Sequence, residues 1–392
     1  MPDVVVIGAG PVGTLLAAEL TRRGVEVALL ERRTEAGTGT RAIGLHAPVL
    51  AALEDGGATD RILERAVRVR RGEARSSGRL LGVVRFDRLS ARHPFVATLP
   101  QAETEAALAV GAPAPRRGVV VTAIRADGDL VRVTAAGTGE IELSAPLVVV
   151  AGGATARGLV YRPGALRQTA YPDRYLMTDA DVPGRPDAEV AVVHLAPSGV
   201  LESFPLPGGR RRFVAWDDGG ADAAAARLAR LRTALTDRGE PGAADAAGSA
   251  TSFGVRRVVA PRLRRGRILV IGDAAHEVSP IGGQGMNLGL IDAVTLAPVL
   301  ARWVREGAAP ASLDAWERSR LRAADRAGRI AALNTTLGRP SRSGGARGGA
   351  DGDRGAAATA VRLALRSPAE RLLAHAYSMG FDPAARFARA PR

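Results

Sequence analysis

Short runs of apolar, β-branched residues alternate along this chain with stretches whose apolar positions recur every three or four residues. That is the pattern of strands and amphipathic helices taken in turn. The first run, Val4-Val5-Val6-Ile7, stops at Gly8, and a helical pattern starts at Pro11, a residue suited to a first helical turn. A second run, 25–30, ends at Glu31. Runs that are apolar throughout read as strands of a parallel sheet covered on both faces, so the N-terminal segment reads as a βαβ unit. Pro48 opens a short helix with Val49, Leu50, Ala52 and Leu53 on its apolar face. Pro100-Gln101 opens another, with Glu103 and Glu105 near its start, where acids favour the helix dipole. Between these helices, residues 66–70 and 80–86 alternate polar with apolar, as half-buried strands do. Residues 119–124 and 130–134 flank Asp127-Gly128 and read as a hairpin, and 147–150 returns as a buried strand.

From 168 to 258 short strands dominate, at 174–178, 190–195, 200–204 and 212–216. A helix follows from Asp222, its expected N-cap, to Arg238. Many of the chain's few aromatics lie here: Tyr171, Tyr175, Phe204, Phe213, Trp216 and Phe253. A strand at 267–271 and a helix from about Leu288 to Glu306 resume the first pattern, and helices are expected at 312–337 and about 356–380. Residues 339–355, rich in Gly, Ser and Arg, read as a mobile linker. The fold class is therefore α/β: a Rossmann-like nucleotide-binding domain with a β-sheet-rich substrate domain inserted and a helical C-terminal segment. The expected bounds are 1–70, 98–165 and 259–330 for the nucleotide domain and 71–97 and 166–258 for the substrate domain. Residues 331–392 form the C-terminal helices.

Composition narrows the function more than the fold. The chain has 392 residues, 46% hydrophobic and 24% charged, enough for two domains. Its net charge is +14 and every basic residue other than histidine is Arg. Those arginines are spread evenly with few aromatics between them, so no nucleic-acid partner is expected. Absence of Lys removes Schiff-base chemistry, and absence of Cys removes disulfides and thiolate chemistry. The five histidines have no metal-ligand spacing, so no metal is expected. No apolar run looks long enough to span a bilayer, and the chain starts directly in a strand, so a cytoplasmic location is expected, as monomer or homodimer.

The candidate chemistry sits at two glycine-rich turns. In Gly8-Ala9-Gly10-Pro11-Val12-Gly13 the glycines permit the tight turn, a close approach of pyrophosphate, and close helix packing, while Glu31 lies about 20 residues on, where an acid meets a ribose. In the second, Gly272-Asp273-Ala274-Ala275-His276 leads through Pro280 and Gly282-Gly283-Gln284 to Gly285, Met286 and Asn287, whose N–H groups stand at a helix start. Arg41, after a Gly37–Thr40 loop, reads either as a phosphate or ring contact or as a solvated loop arginine. His46, Tyr175, His194 and Trp216 are the pocket candidates, with His46 and His194 the first choices for a base.

On these motifs the chain resembles the single-component FAD-dependent aromatic hydroxylases, the p-hydroxybenzoate hydroxylase-like flavoprotein monooxygenases. The resemblance implies an FAD-binding domain. Gly8, Gly10, Pro11, Val12, Gly13, Glu31 and Arg32 would hold the AMP half, and Arg41 and Gln101 would lie beside the flavin. Gly272, Asp273, Pro280, Gly283, Gly285, Met286 and Asn287 would form the second FAD motif, with Asp273 on the ribityl chain. It further implies that NAD(P)H reduces FAD and that O₂ then gives a flavin hydroperoxide, which hydroxylates or epoxidises a small aromatic or polyketide-like molecule bound near Tyr175, His194 and Trp216. One departure stands out. The family's Asp-Gly pair after the strand at 147–150 is replaced by Ala151-Gly152-Gly153, and its Arg is displaced to Arg157. This opens a second reading, a redox-neutral cyclase that keeps FAD and folds its substrate, and a third, a non-catalytic flavin or ligand-binding protein. The tail carries no βαβ pattern, so a terminal thioredoxin-like domain is not expected.

Overall fold

A computed structural model describes residues 1–37, 42–137, 139–279, 281, 283–340 and 369–382. At its centre is a six-stranded sheet in the order Arg264–Arg265, Ile268–Val270, Leu147–Val150, Val4–Ile7, Val27–Glu31, Arg116–Arg117. Val4–Ile7 pairs in parallel with both neighbours, and all four of its residues are buried. A second sheet, Val120–Asp127, Leu130–Ala136 and Glu140–Ala145, is antiparallel and packs Val131, Val133 and Ala135 into the same core. The hairpin read from Asp127-Gly128 thus has a third strand. Its weakly apolar alternation, Ile141 and Leu143 among Glu140, Glu142 and Ser144, hid it.

The larger sheet has eight strands, in the order His276–Glu277, Thr251–Val259, Arg167–Asp181, Arg210–Asp217, Gly199–Leu206, Val190–Ala196, Arg71–Ser76, Arg79–Arg85. Arg71–Ser76 joins in parallel beside Val190–Ala196, so two segments far apart in sequence make one sheet. Register fixes its two faces, because residues directly opposite one another share a face. One face carries Leu176, Leu201, Phe213 and Ala215. The other carries Tyr175, Met177, Val193, Val214 and Trp216 and packs against Ile281. A fourth, small antiparallel sheet, Gly44–Leu45, Val96–Thr98 and Val67–Val69, packs Leu45 and Ala97 into the main core.

The helices are α1 (Pro11–Thr21), α2 (Ala47–Ala52), α3 (Ala58–Leu63), α4 (Gln101–Ala109), α5 (Ala224–Thr236), α6 (Pro241–Ala246), α7 (Gln284–Glu306), α8 (Ser312–Leu337) and α9 (Ala369–Tyr377). Helices α5 and α6 cover the Leu176 face through Leu231, Leu235, Ala243 and Ala244. Asp222 is not the cap of α5. Ala223 precedes the helix, while Asp222 receives Arg227 on its backbone carbonyl and faces Arg174 and Arg227 with its carboxylate. Helix α7 starts at Gln284, ahead of the expected Leu288, because Gly283 takes φ +65° as its N-cap. Contrary to expectation, α7 is long and apolar enough to cross a membrane. Here it is a core helix, with Leu290, Ile291, Leu296 and Leu300 buried in the main cluster. The start of the supposed mobile linker is pinned, since Arg339 pairs with Asp173 at 2.8 Å; its remainder, from 341, lies outside the described residues. Of the last expected helix, α9 is described, and it docks on the start of α7 where Gln284 Nε2 donates to the Ala376 carbonyl.

Candidate cofactor and substrate site

The first glycine turn contains three glycines with two different reasons. A Cβ on Gly8, at φ +107°, would stand 2.5 Å from Gly152 Cα, and one on Gly13 would stand 1.9 Å from the Gly8 carbonyl oxygen. Both are demanded by packing inside the protein. Gly10, the N-cap of α1, has extended backbone and no atom within 4 Å of a Cβ. Nothing in the chain needs glycine there; a phosphate brought against the free N–H groups of the first turn does. The residues present therefore fit a dinucleotide. Val12 fills the space between the two glycine turns. A Cβ on Gly272 would come to 3.3 Å from it, and one on Gly289 of α7 to 2.6 Å. Gly289 is a missed member of the site, needed for α7 to approach α1.

Glu31 is buried and closes the first turn, accepting the Ala9 N–H at 2.8 Å and the Arg33 N–H and Nε at 3.0 and 2.9 Å. Burial alone would raise its pKa, but these donors outweigh it and hold the carboxyl below the usual range. A ribose would share this carboxylate with Arg33, whose side chain is partly exposed. Arg32 is exposed beside it. Gln101, at the start of α4, accepts from Ala42 N–H at 3.4 Å and donates to Glu105 at 2.8 Å. Arg41 and Pro280 lie outside the described residues.

The second turn, Gly272–Ala274, leaves Asp273 exposed. Its carboxylate lies 4.0 Å from where a Cβ of Gly285 would stand, so Asp273 and the first turn of α7 share one place. That turn has no side-chain cap, leaving its N–H groups for another acceptor. Met286 is partly buried against the main core. The Asn287 side chain is spent inside the protein, accepting from His46 N–H at 2.9 Å and donating to the Gly44 and Gly283 carbonyls at 2.8 Å each. It clamps the start of α7 to the segment before α2. The displaced Arg157 is also engaged. Its Nη2 donates to the Asp273 carbonyl at 2.6 Å and pairs with Glu277 at 2.9 Å, tying the Gly152 segment to the second turn.

Behind the second turn lies a network that sequence reasoning missed. Asp292, fully buried on α7, accepts from Gly272 N–H at 3.1 Å, from Arg320 Nε at 2.7 Å, and lies 2.6 Å from His276 Nε2; Arg320 also meets Asp382 at 2.9 Å. Burial would raise Asp292, yet its contacts with His276 and Arg320 hold it low. Its one sequence signal was an Asp inside the apolar stretch 288–297.

The pocket candidates separate. His46 lies beside the start of α7, with both ring nitrogens buried and lacking a hydrogen-bond partner among the described residues, and Nε2 3.7 Å from where a Cβ of Gly283 would stand. Burial pushes its pKa down to about 4, so it is a neutral imidazole. Tyr175 and Trp216 are paired neighbours on the sheet face that meets Ile281, with Tyr175 stacked on Phe253. His194 is not with them. It is paired with Leu201 on the opposite face, 3.4 Å from Glu240, which in turn holds Arg185.

Compared with known proteins, the chain matches the family model described as FAD binding domain over residues 1–331. It is 34% identical over 364 residues to the 12-dehydrotetracycline 5-monooxygenase/anhydrotetracycline 6-monooxygenase of Streptomyces rimosus, covering 81% of this chain and 66% of that protein. To the dialkyldecalin synthase of Streptomyces rugosporus it is 31% identical, covering 86% of this chain and 73% of that one. Its fold is similar to the crystal structure of p-nitrophenol 4-monooxygenase from Pseudomonas putida DLL-E4, with a TM-score of 0.82 at 26% identity over 97% of this chain and 98% of that one. The chain thus spans slightly under two thirds of the length of the tetracycline relative.

Proposed function

The chain belongs to the FAD-binding-domain family of the flavoprotein aromatic hydroxylases, and from that premise we propose that it is an FAD-dependent monooxygenase using NAD(P)H and O₂ to oxygenate an aromatic or polyketide-like small molecule. One observation carries the reading: Val12 packs between the Gly272 turn and α7 at Gly289, and Ile281, just before α7, packs on the aromatic sheet face. Bound FAD, reduced by NAD(P)H in the presence of O₂, supplies an electrophilic oxygen atom. The chain does the rest. The N-terminus of α1 binds the pyrophosphate. Asp273 binds a ribityl hydroxyl, and the first turn of α7 favours negative charge on the ring. Tyr175, Trp216 and Phe253 line an apolar wall that excludes water and orients a flat substrate. Neutral His46 can accept a proton there.

The purified protein is expected to be yellow and to release one FAD on denaturation. Substrate-stimulated NAD(P)H oxidation, with oxygen from labelled O₂ in the product, tests the reaction; anhydrotetracycline is the first compound to try. A protein that takes up no FAD ends the reading. Asp273→Ala should weaken FAD binding about tenfold to a hundredfold, the value of one charge-assisted hydrogen bond, with the far-UV spectrum unchanged. An unaltered dissociation constant would place the ribityl chain elsewhere.

The cyclase is the second reading, supported by Ala151-Gly152-Gly153 and by the likeness to a dialkyldecalin synthase. An acid cannot simply be restored there. A Cβ on Gly152 would meet Ala156 Cβ at 2.8 Å, and Gly153 sits at φ +69°, ψ −168°, a region open to glycine. Product formed without O₂ or reductant would favour the cyclase.

A further inference from the structure

Glu202 lies in the middle of the aromatic sheet face. Its Cα is paired with Val193 on one side and Val214 on the other, and Val214 with Met177, all members of the cluster that meets Ile281. The residue is 7% exposed, and among the described residues no hydrogen-bond donor reaches its carboxylate. Two more buried polar atoms in the same neighbourhood lack partners, Tyr175 Oη and Asn334 Nδ2. Tyr377 of α9 connects them: its hydroxyl donates to Asn334 Oδ1 at 3.1 Å, and both it and Tyr175 feel the Glu202 charge. The end of α8 lies over this part of the face, since Val200, on the same face as Glu202, donates its N–H to the Gly338 carbonyl at 2.9 Å. Burying the Tyr175 hydroxyl and the Asn334 amide unsatisfied is costly, and the largely buried Glu202 carboxylate beside them has no donor among the described residues. A ligand bearing oxygen atoms would satisfy all three.

We propose that Glu202, with the Tyr175 hydroxyl and the Asn334 amide, is the polar anchor that receives a phenol, enol or ring-carbonyl oxygen of the substrate, a specificity-determining contact at the side of the pocket covered by α8 and α9. The proposal rests on the monooxygenase or cyclase reading of the same face. Burial alone pushes the Glu202 pKa up to about 8, so at neutral pH it can both donate and accept. The groups facing it are neutral: Tyr175 and Tyr377 are held protonated by burial, Asn334 is uncharged, and Met177, Val193 and Val214 are apolar. Asp173 is paired with Arg339 beside Tyr175.

The test uses FAD-loaded protein with Glu202→Gln and Glu202→Leu, and two flat probes, 1,8-dihydroxyanthraquinone and the oxygen-free anthracene, titrated by fluorescence quenching. Wild type should prefer the hydroxylated probe by about tenfold, the scale of one or two hydrogen bonds. Glu202→Leu should lose that preference while binding anthracene as before, and Glu202→Gln should keep part of it. Thermal unfolding gives a second readout. Native protein holds the Glu202 proton between the ordinary value of 4.5 and about 8, where the unfolded chain has lost it. Wild-type stability should therefore fall as pH rises through that window, and the fall should be absent in both variants. A wild type that shows no preference, or a preference that survives Glu202→Leu, overturns the anchor. Failure to take up FAD overturns instead the functional reading beneath it.

Discussion

Asp292→Ala is expected to cost about 3–5 kcal/mol of folding stability, the usual result of leaving a buried charge without its partner. Arg320 is 2% exposed and would keep Asp382 and the Leu288 carbonyl but lose its Asp292 partner, while His276 and the Gly272 N–H would lose theirs. Because Gly272 opens the Asp273 turn, FAD affinity should fall along with stability. Asp292→Asn keeps an acceptor but no charge and should lie between. The pH dependence has a definite sign. The folded carboxyl is held below its ordinary value of 3.8, so its contribution is fully present above that value and is lost as pH falls below it. Urea unfolding of the FAD-free proteins, with FAD titrations of the folded ones, measures both effects. A loss under about 1 kcal/mol, ordinary for a surface change, would show that Asp382 and the Leu288 carbonyl satisfy Arg320 without Asp292.

Gly10→Ala and Gly8→Ala are expected to part company. At Gly10 an added methyl meets no protein atom, so the FAD-free protein should change by no more than about 1 kcal/mol, the scale of an altered N-cap. FAD affinity should drop about tenfold to a hundredfold, because the methyl stands where phosphate comes against the first-turn N–H groups. At Gly8 the methyl meets Gly152 backbone at 2.5 Å and φ is +107°, so fold and cofactor binding should fail together. Strain and overpacking there are each about 1–3 kcal/mol. Unfolding curves and flavin fluorescence quenching separate the two cases. Unchanged FAD affinity in Gly10→Ala would mean that the pyrophosphate does not lie over α1.

What the sequence could determine by itself was local. Val4–Ile7, Gly8 to Gly13 and Glu31 are read within one βαβ unit, because strand, turn and helix preferences act over a few residues and the motif is contiguous. The same holds for the Asp273 turn and for most helices. Where local signals were weak or wrong, a neighbour far along the chain decided. Arg339, for one, was fixed by Asp173, 166 positions away. Periodicity shows which strand residues share a face, but not what that face meets. His194 and Val193 alternate plainly in sequence. Only the placing of α5 and α6 on one side and Ile281 on the other sends His194 away from the site and leaves Glu202 facing it. Asp292, His276, Arg320 and Asp382 likewise carry no joint signal, since a buried ion network is defined by distances that exist only once four separate segments have packed.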